Sequence, residues 1–371
     1  MGDRPMKQVG VITMGFTDNF GALLICYALQ EKLCSLGFET VFLTTQQPPP
    51  AWSGFGVRER SLSKFGSRTL GLLAGYQLRK KFATARSRLN FQFVDLQSTS
   101  TPRFLNQFSF LISGSDHVWH FSRDPFFFLN FPFHYIGKRI AYAGSFGGIS
   151  QPRVSDEQLA LIKKSLLAHD SVSAREVFSQ NLFCQLTGKS IPLVADPTLF
   201  SDYPSLEVSK VFPYNNPIVY YVLGRPLPPH EDVVLQRLRD LYPSSPLVWI
   251  SSNSQYLLHK PKADFYEHDL TLGDWLHLIR SCSLLYTDSF HGMLFALRFG
   301  KPFLAFVEDA FRGSRLYDLQ SRFAPSALIA TSTAEALHLL KEGRPPVPNA
   351  SSALSQLTSF SSDWLAKSLG L

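Results

Sequence analysis

Short apolar runs of strand length alternate along this chain with longer stretches whose apolar positions recur at helical spacing. Val9–Met14 is the first such run, followed by the glycine-bearing turn GFTDNFGA (Gly15–Ala22) and a helix that runs through Leu36 and stops at Gly37. Thr40–Thr45 reads as the next strand. Phe108–Ser113 leads into SGSDHVW, and Arg139–Phe146 leads into SFGG. Asp156–Ala168 is helical, Ser171–Ala174 is a short strand, Glu176–Leu186 is a helix, and Leu193–Ala195 is a strand reaching Asp196-Pro197. Strands that alternate with helices predict parallel sheets joined by crossover helices.

The pattern breaks at Ser201–Pro217, rich in Ser, Pro and Asn, which reads as a connection between domains. A second series follows: the strand Ile218–Leu223, a helix over Glu231–Leu241, and the strand Leu247–Ser251. Then come a helix over Gly273–Arg280, the strand Phe303–Phe306 and a helix over Arg315–Phe323. No internal sequence repeat is visible. The expected organisation is two similar α/β domains facing across a cleft. The first covers 1–203 and carries a basic helical insertion at 52–100. The second covers 204–349, and a helix in 350–371 is free to return to the first.

Within the second series, Leu284–Pro302 (LLYTDSFHGMLFALRFGKP) passes from an apolar strand through a polar turn into an apolar helix ended by Gly300 and Pro302. Asp288, Ser289, Phe290 and His291 therefore lie at the carboxyl end of a strand and the amino end of a helix. In open α/β sheets ligands bind at that edge, and helix amino ends favour anions. A histidine there can donate to an anion or move a proton near neutral pH. Taken alone it is more often a packed or capping residue.

Apolar residues make up 45% of the 371 positions and charged residues 18%, which excludes a disordered chain. No apolar run reaches the length of a membrane span, and the amino end has no signal-like segment. The expected location is the cytoplasm, peripheral to the inner face of the membrane where charge allows. Four scattered cysteines, Cys26, Cys34, Cys184 and Cys282, have neither paired nor metal-ligand spacing. No metal is expected. The formal charge is +7, and nine Lys and Arg residues between Arg58 and Arg88, opposed only by Glu59, hold all of that excess. The latter half of this segment reads as a helix with Leu78, Phe82, Ala85 and Leu89 on one stripe. It is either a solvated face or a contact for anionic membrane or a lipid-linked diphosphate. No recognition motif accompanies the charge, so nucleic acid is not an expected partner.

Six landmarks occur in order: GVITMGFTDNFGALLICYAL, FLISGSDHVW, RIAYAGSFG, SVSARE, VADPTLF and TDSFHGMLFALRFGKPFLAF. From about Val9 to Leu340 the chain resembles the polysaccharide pyruvyl transferase family. The resemblance implies two Rossmann-like domains arranged as in the GT-B glycosyltransferases. It implies transfer of pyruvyl from phosphoenolpyruvate to a diol of a glycan or lipid-linked precursor, as in capsule or exopolysaccharide assembly. The product is a cyclic ketal, formed without a metal or further cofactor. His291 carries over as the principal active-site residue and Arg175 as donor-binding, with Ser289 and Phe290 beside them.

Several family members have Arg-Leu-His where this chain has Ser289-Phe290-His291, so another cation is needed. Arg225 and Lys301 rank first, ahead of Arg298, Arg312 and Arg315. On the acceptor side, Asp18 and Asp116 are the candidate bases, Asn19 and Gly21 shape the first turn, and Trp119 offers a ring for sugar stacking. Each has a plainer reading: a Glu-paired arginine for Arg175, caps or turns for the polar residues, a core aromatic for Trp119. Asp288 is a candidate to orient His291 or to cap its helix, and Asp196-Pro197 reads as structural. The rival functions are a GT-B glycosyltransferase using a nucleotide sugar and a non-catalytic glycan-binding protein.

Overall fold

Strand β1 (Lys7–Ile12) is buried from Val9 onward on both sides, as a strand must be when helices cover both faces of its sheet. The computed structural model describes residues 6–46, 65–148, 154–223, 231–251, 261–307 and 313–371, the side chains of 65–75 and 251 excepted. After β1 come α1 (Phe20–Ser35), β2 (Phe38–Thr44), α2 (Phe65–Arg86), β3 (Phe91–Phe93) and α3 (Thr101–Leu105). The first series continues with β4 (Phe110–Gly114), β5 (Lys138–Gly144), α4 (Asp156–Leu167), β6 (Ser171–Ala174) and α5 (Val177–Thr187). These strands form one parallel sheet in the order β3-β2-β1-β4-β5-β6.

The second series starts with β7 (Ile218–Val222), α6 (Glu231–Leu241), β8 (Leu247–Ser251), β9 (Phe265–Glu267), α7 (Leu272–Ser281) and β10 (Leu284–Thr287). It continues with α8 (Phe290–Arg298), β11 (Phe303–Phe306), α9 (Ser314–Phe323), β12 (Leu328–Ala330) and α10 (Thr333–Leu339). Its sheet has the order β12-β11-β10-β7-β8-β9, which is the first sheet's order read from the opposite edge. In each sheet the strand order reverses between the first and fourth strands, between β1 and β4 and between β7 and β10. In open α/β sheets such a reversal of strand order is where ligands bind, outside the carboxyl ends of the strands.

Two elements differ from their expected form. Leu193–Ala195 is not a strand; only Leu193 bridges Ala174, because Pro197 follows at once and turns the chain into a 3-10 turn over Pro197–Phe200. Helix α8 begins at Phe290 rather than Met293, since the Ser289 side chain already accepts from Gly292 N, which caps the helix one turn earlier.

The two domains share a core. Phe20 of α1 stacks on Trp275 of α7, with centroids 5.4 Å apart and planes 9° apart. Arg298 donates to Thr198 O at 2.7 Å and to Asp202. Asp318 of α9 accepts from Val177 N, supplying α5 with the cap that its own Glu176 does not. Helix α11 (Ser351–Ser368) lies on the first domain: Ser361 Oγ accepts from Ala195 N at 2.7 Å, and Trp364 packs on Tyr142.

Candidate active site

Helix α8 carries His291 in its first turn, and the other residues from Phe290 to Leu297 are all apolar or glycine and buried. Such a helix is fixed by packing on all sides, so its amino end has a defined position. His291 is 7% exposed and points across the cleft, where its Nε2 lies 3.6 Å from Asp196 Oδ2. Its ring rests against Gly21 in the first turn of α1. The two switch points, one in each domain, are thus brought face to face.

Asp196 is the hub. Its Oδ2 accepts from Ser115 Oγ at 3.0 Å and from Arg175 Nη1 at 2.9 Å, and its Oδ1 accepts from the backbone N–H and hydroxyl of Thr198. Burial alone would raise this carboxyl. His291, Arg175 and the Thr198 N–H outweigh that and hold it well below the usual carboxylate range. Arg175 is 3% exposed and also donates through Nε to Glu176 and through Nη2 to Ser145. Burial opposes its charge, but Glu176, Asp196 and Asp116 more than compensate and hold it protonated. Glu176 in turn accepts from Ser179 Oγ. The Arg175 guanidinium stacks 4.2 Å from the centre of the Phe290 ring.

Asp116 follows β4 with a left-handed backbone, φ 50°, as does Ser115 at φ 55°. Non-glycine residues rarely hold this conformation, and paired strain of this kind concentrates at functional sites. Burial would raise the Asp116 carboxyl, but His117, Arg175, His291 and Arg315 together lower it. The adjacent imidazole of His117 is pushed down by burial and by Arg315, against the pull of Asp116. The surroundings thus favour the carboxylate form of Asp116 and the uncharged form of His117.

Residues 19–309 match the family model for polysaccharide pyruvyl transferase. The chain belongs to that family. The matched stretch contains Gly21, Asp116, Arg175, Asp196 and His291, and the family's activity makes the protein a transferase of polysaccharide biosynthesis. No curated protein matches the sequence. Among solved structures, the Anabaena protein Alr3699/HepE in complex with UDP and glucose aligns with TM-score 0.53 at 12% identity, covering 98% of this chain and 99% of that one. S. aureus MnaA with UDP aligns at 0.51 and 12%, covering 96% and 94%. Neisseria meningitidis UDP-GlcNAc 2-epimerase bound to UDP-GlcNAc aligns at 0.50 and 11%, covering 98% and 99%. These likenesses establish the GT-B fold.

Several residues of this pyruvyl transferase family member lie where their expected roles do not fit. Arg175, expected to hold the donor, gives three of its five N–H donors to Glu176, Asp196 and Ser145, and so braces the hub. Ser289 spends its hydroxyl on capping α8. Lys301 lies beyond the far end of α8, and that end is about 10 Å along the helix axis from His291. Arg225 and Arg312 lie outside the described residues. Arg298 is turned to Thr198 and Asp202. Among the described candidates, Arg315, at the start of α9, is the one that reaches the cluster, 5.7 Å from the Phe290 ring centre.

On the acceptor side, Trp119 is fully buried between Phe146 and Phe183 and offers no face to a sugar. Asn19 caps α1 by accepting from Ala22 N. Asp18 is paired with Arg86 at 2.8 Å, which draws that arginine off the basic face of α2. Asp288 neither orients His291 nor caps α8; its carboxylate accepts from Leu223 N and ties the end of β10 to the end of β7. The group that meets His291 is Asp196. Asp followed by Pro and Thr is a strong turn-capping signal, and it hid the second use of the same carboxylate.

Proposed function

We propose that this protein transfers the pyruvyl group of phosphoenolpyruvate to two hydroxyls of a glycan or lipid-linked sugar, forming a cyclic ketal and releasing phosphate. The observation that carries the reading is the placement of His291 at the junction of the two switch points, 3.6 Å from a carboxylate held ionised. Protonation of C3 turns the methylene into a methyl group and builds positive charge at C2. One sugar hydroxyl adds at C2, the second displaces phosphate, and of the two hydroxyl protons one replaces that given to C3 and one leaves with the phosphate. His291 is the proton donor or the cation that meets the phosphate, and the ionised Asp196 carboxylate faces its ring.

Asp116 is the acceptor-side carboxylate. Its lowered pKa suits it to accepting hydrogen bonds from sugar hydroxyls more than to removing a proton outright. The acceptor approaches through the first domain, past Gly21 and Asp116. Arg79, Lys80 and Arg88 stand exposed on and just beyond α2 and serve a lipid-linked acceptor at an anionic surface. The apolar stripe of that helix is not available to lipid, because Leu78, Phe82 and the following Leu89 are buried in the core. Among the described residues no helix is long and apolar enough to cross a membrane.

The test is to incubate the protein with phosphoenolpyruvate and sugars bearing paired hydroxyls, and to follow phosphate release and ketal formation. Release of nucleoside diphosphate from a sugar nucleotide, with no phosphate from phosphoenolpyruvate, would overturn the reading in favour of a glycosyltransferase.

A further inference from the structure

Helix α5 starts at Val177 without a side-chain cap of its own. The residue in the capping position is Glu176, and its side chain makes no cap bond. Its carboxylate is turned inward and committed: one oxygen accepts from Arg175 Nε at 3.1 Å and the other from Ser179 Oγ. The missing cap comes from the second domain. Asp318 Oδ1 accepts from Val177 N at 3.0 Å, and Asp318 Oδ2 accepts from Arg322 Nη1 at 2.9 Å. The same Arg322 nitrogen donates to Arg175 O at 3.2 Å. Glu176 is therefore bracketed, with the carbonyl before it and the N–H after it both held by one helix of the other domain.

The pattern of α9 produces this contact. Leu316, Leu319 and Phe323 are buried and fix the helix on the core, while Asp318 and Arg322, four apart, share a neighbouring stripe that meets α5. Within the first domain the backbone of Arg175 has one anchor, its N–H on Gly144 O at 3.2 Å. We propose that Asp318, seconded by Arg322, is a positioning residue for Arg175. It fixes the 175–177 backbone across the domain seam, so that Arg175 meets Asp196 in its full geometry only when the second domain is docked. Asp196 also faces His291, so two helices of the second domain, α8 and α9, act on one carboxylate of the first. The inference deepens the reading of the cleft as the reaction site, and only the activity arm of its test depends on that reading. Asp318 and Arg322 both lie beyond the stretch matched by the family model, which ends at residue 309.

The experiment follows amide hydrogen exchange by mass spectrometry in the parent, Asp318→Ala, Asp318→Asn and Arg322→Met, each at a temperature equally far below its own melting point. Two stretches are read: residues 176–180 at the start of α5, and residues 196–200, where Thr198 N donates to Asp196 Oδ1 at 3.0 Å. Asp318→Ala should exchange about twofold to thirtyfold faster at the start of α5, the range for a lost helix cap, and faster also at 196–200. Asparagine keeps an oxygen for Val177 N, so Asp318→Asn should restore most of the protection at both places. Arg322→Met should show a smaller effect of the same kind. A cap that serves α5 alone leaves 196–200 at the parental rate, and that result overturns the proposal, as does an Asp318→Asn protein that exchanges like Asp318→Ala. With phosphoenolpyruvate and a sugar acceptor, Asp318→Ala should lower turnover by about tenfold to a hundredfold with little change in phosphoenolpyruvate affinity. In an Arg175→Gln background the same change should cost no further turnover, whereas losses that add would contradict action through Arg175. Absence of turnover in the parent would overturn the pyruvyl-transfer reading, and the exchange rates at 196–200 would still decide the role of Asp318.

Discussion

His291 and Gly21 belong to different domains and touch so closely that a Cβ built on Gly21 would fall 2.1 Å from His291 Nδ1 and 2.4 Å from its Cγ. The contact joins the amino ends of α8 and α1, and the ring has little room to withdraw because it is buried. Gly21→Ala therefore forces the imidazole aside or the domains apart. Overpacking of this kind costs about 1–3 kcal/mol, and the displaced histidine loses its place beside Asp196. Turnover should fall sharply while donor affinity changes less. A Gly21→Ala protein with parental turnover and melting temperature would contradict this geometry.

Asp196→Asn removes the charge that faces both Arg175 and His291. Breaking a buried pair from one side costs about 3–5 kcal/mol, so the variant should melt well below the parent at pH 7. The pH dependence has a defined sign. A carboxyl with a depressed folded-state pKa contributes stability that is full above its unfolded value, about 4, and is lost as pH falls toward the folded value. The parent should thus lose stability steeply below about pH 4, with Asp116 adding to the loss. In Asp196→Asn that acid limb should be flatter. Melting curves between about pH 2 and 7 decide it, and parallel limbs in the two proteins would refute the assignment.

His291→Asn separates the two roles open to the imidazole. As a proton donor it should lose roughly 10²–10⁴-fold in turnover with donor affinity nearly kept. As a phosphate-binding cation it should lose affinity and turnover together. Single-turnover kinetics with a direct binding measurement distinguish them, and near-normal activity contradicts both.

The exposed cations Arg79, Lys80 and Arg88 should together raise affinity for anionic vesicles by about 1 kcal/mol each, an effect that fades as salt rises. Changing all three to Gln should reduce vesicle binding and activity on a lipid-linked acceptor, and spare activity on a short soluble one. Arg86 is left out because it is bound to Asp18. Absence of vesicle binding by the parent at low salt would reduce this face to a solvated surface.

Long apolar periods make most of the fold legible in the amino-acid sequence. Their alternation marks the central strands, the two-domain division and the strand–turn–helix around His291. It does not reveal β3, β9 and β12, each three residues long and set at or near a sheet edge, where too few positions accumulate to show a period. Around the site, position along a strand end is readable and side-chain direction is not. Arg175 and Asp116 fall at the expected edge, but only tertiary contacts reveal that Arg175 is tied to Glu176, Asp196 and Ser145. The sequence ranks Arg225 and Lys301 ahead of Arg315, whereas helix α8 carries Lys301 away from His291 and the first turn of α9 holds Arg315 near the Phe290 ring.

Helix α11 also sets an order of events during synthesis. The backbone N–H of Ala195, deep in the first domain, finds its acceptor in Ser361, and Lys32 of α1 donates to Ser362. The ribosome makes those serines only after the whole second sheet. Until then the nascent first domain carries an open apolar seam beside Tyr142 and Phe200, which Trp364 and its helix later cover. The first half to be made is the last to be sealed.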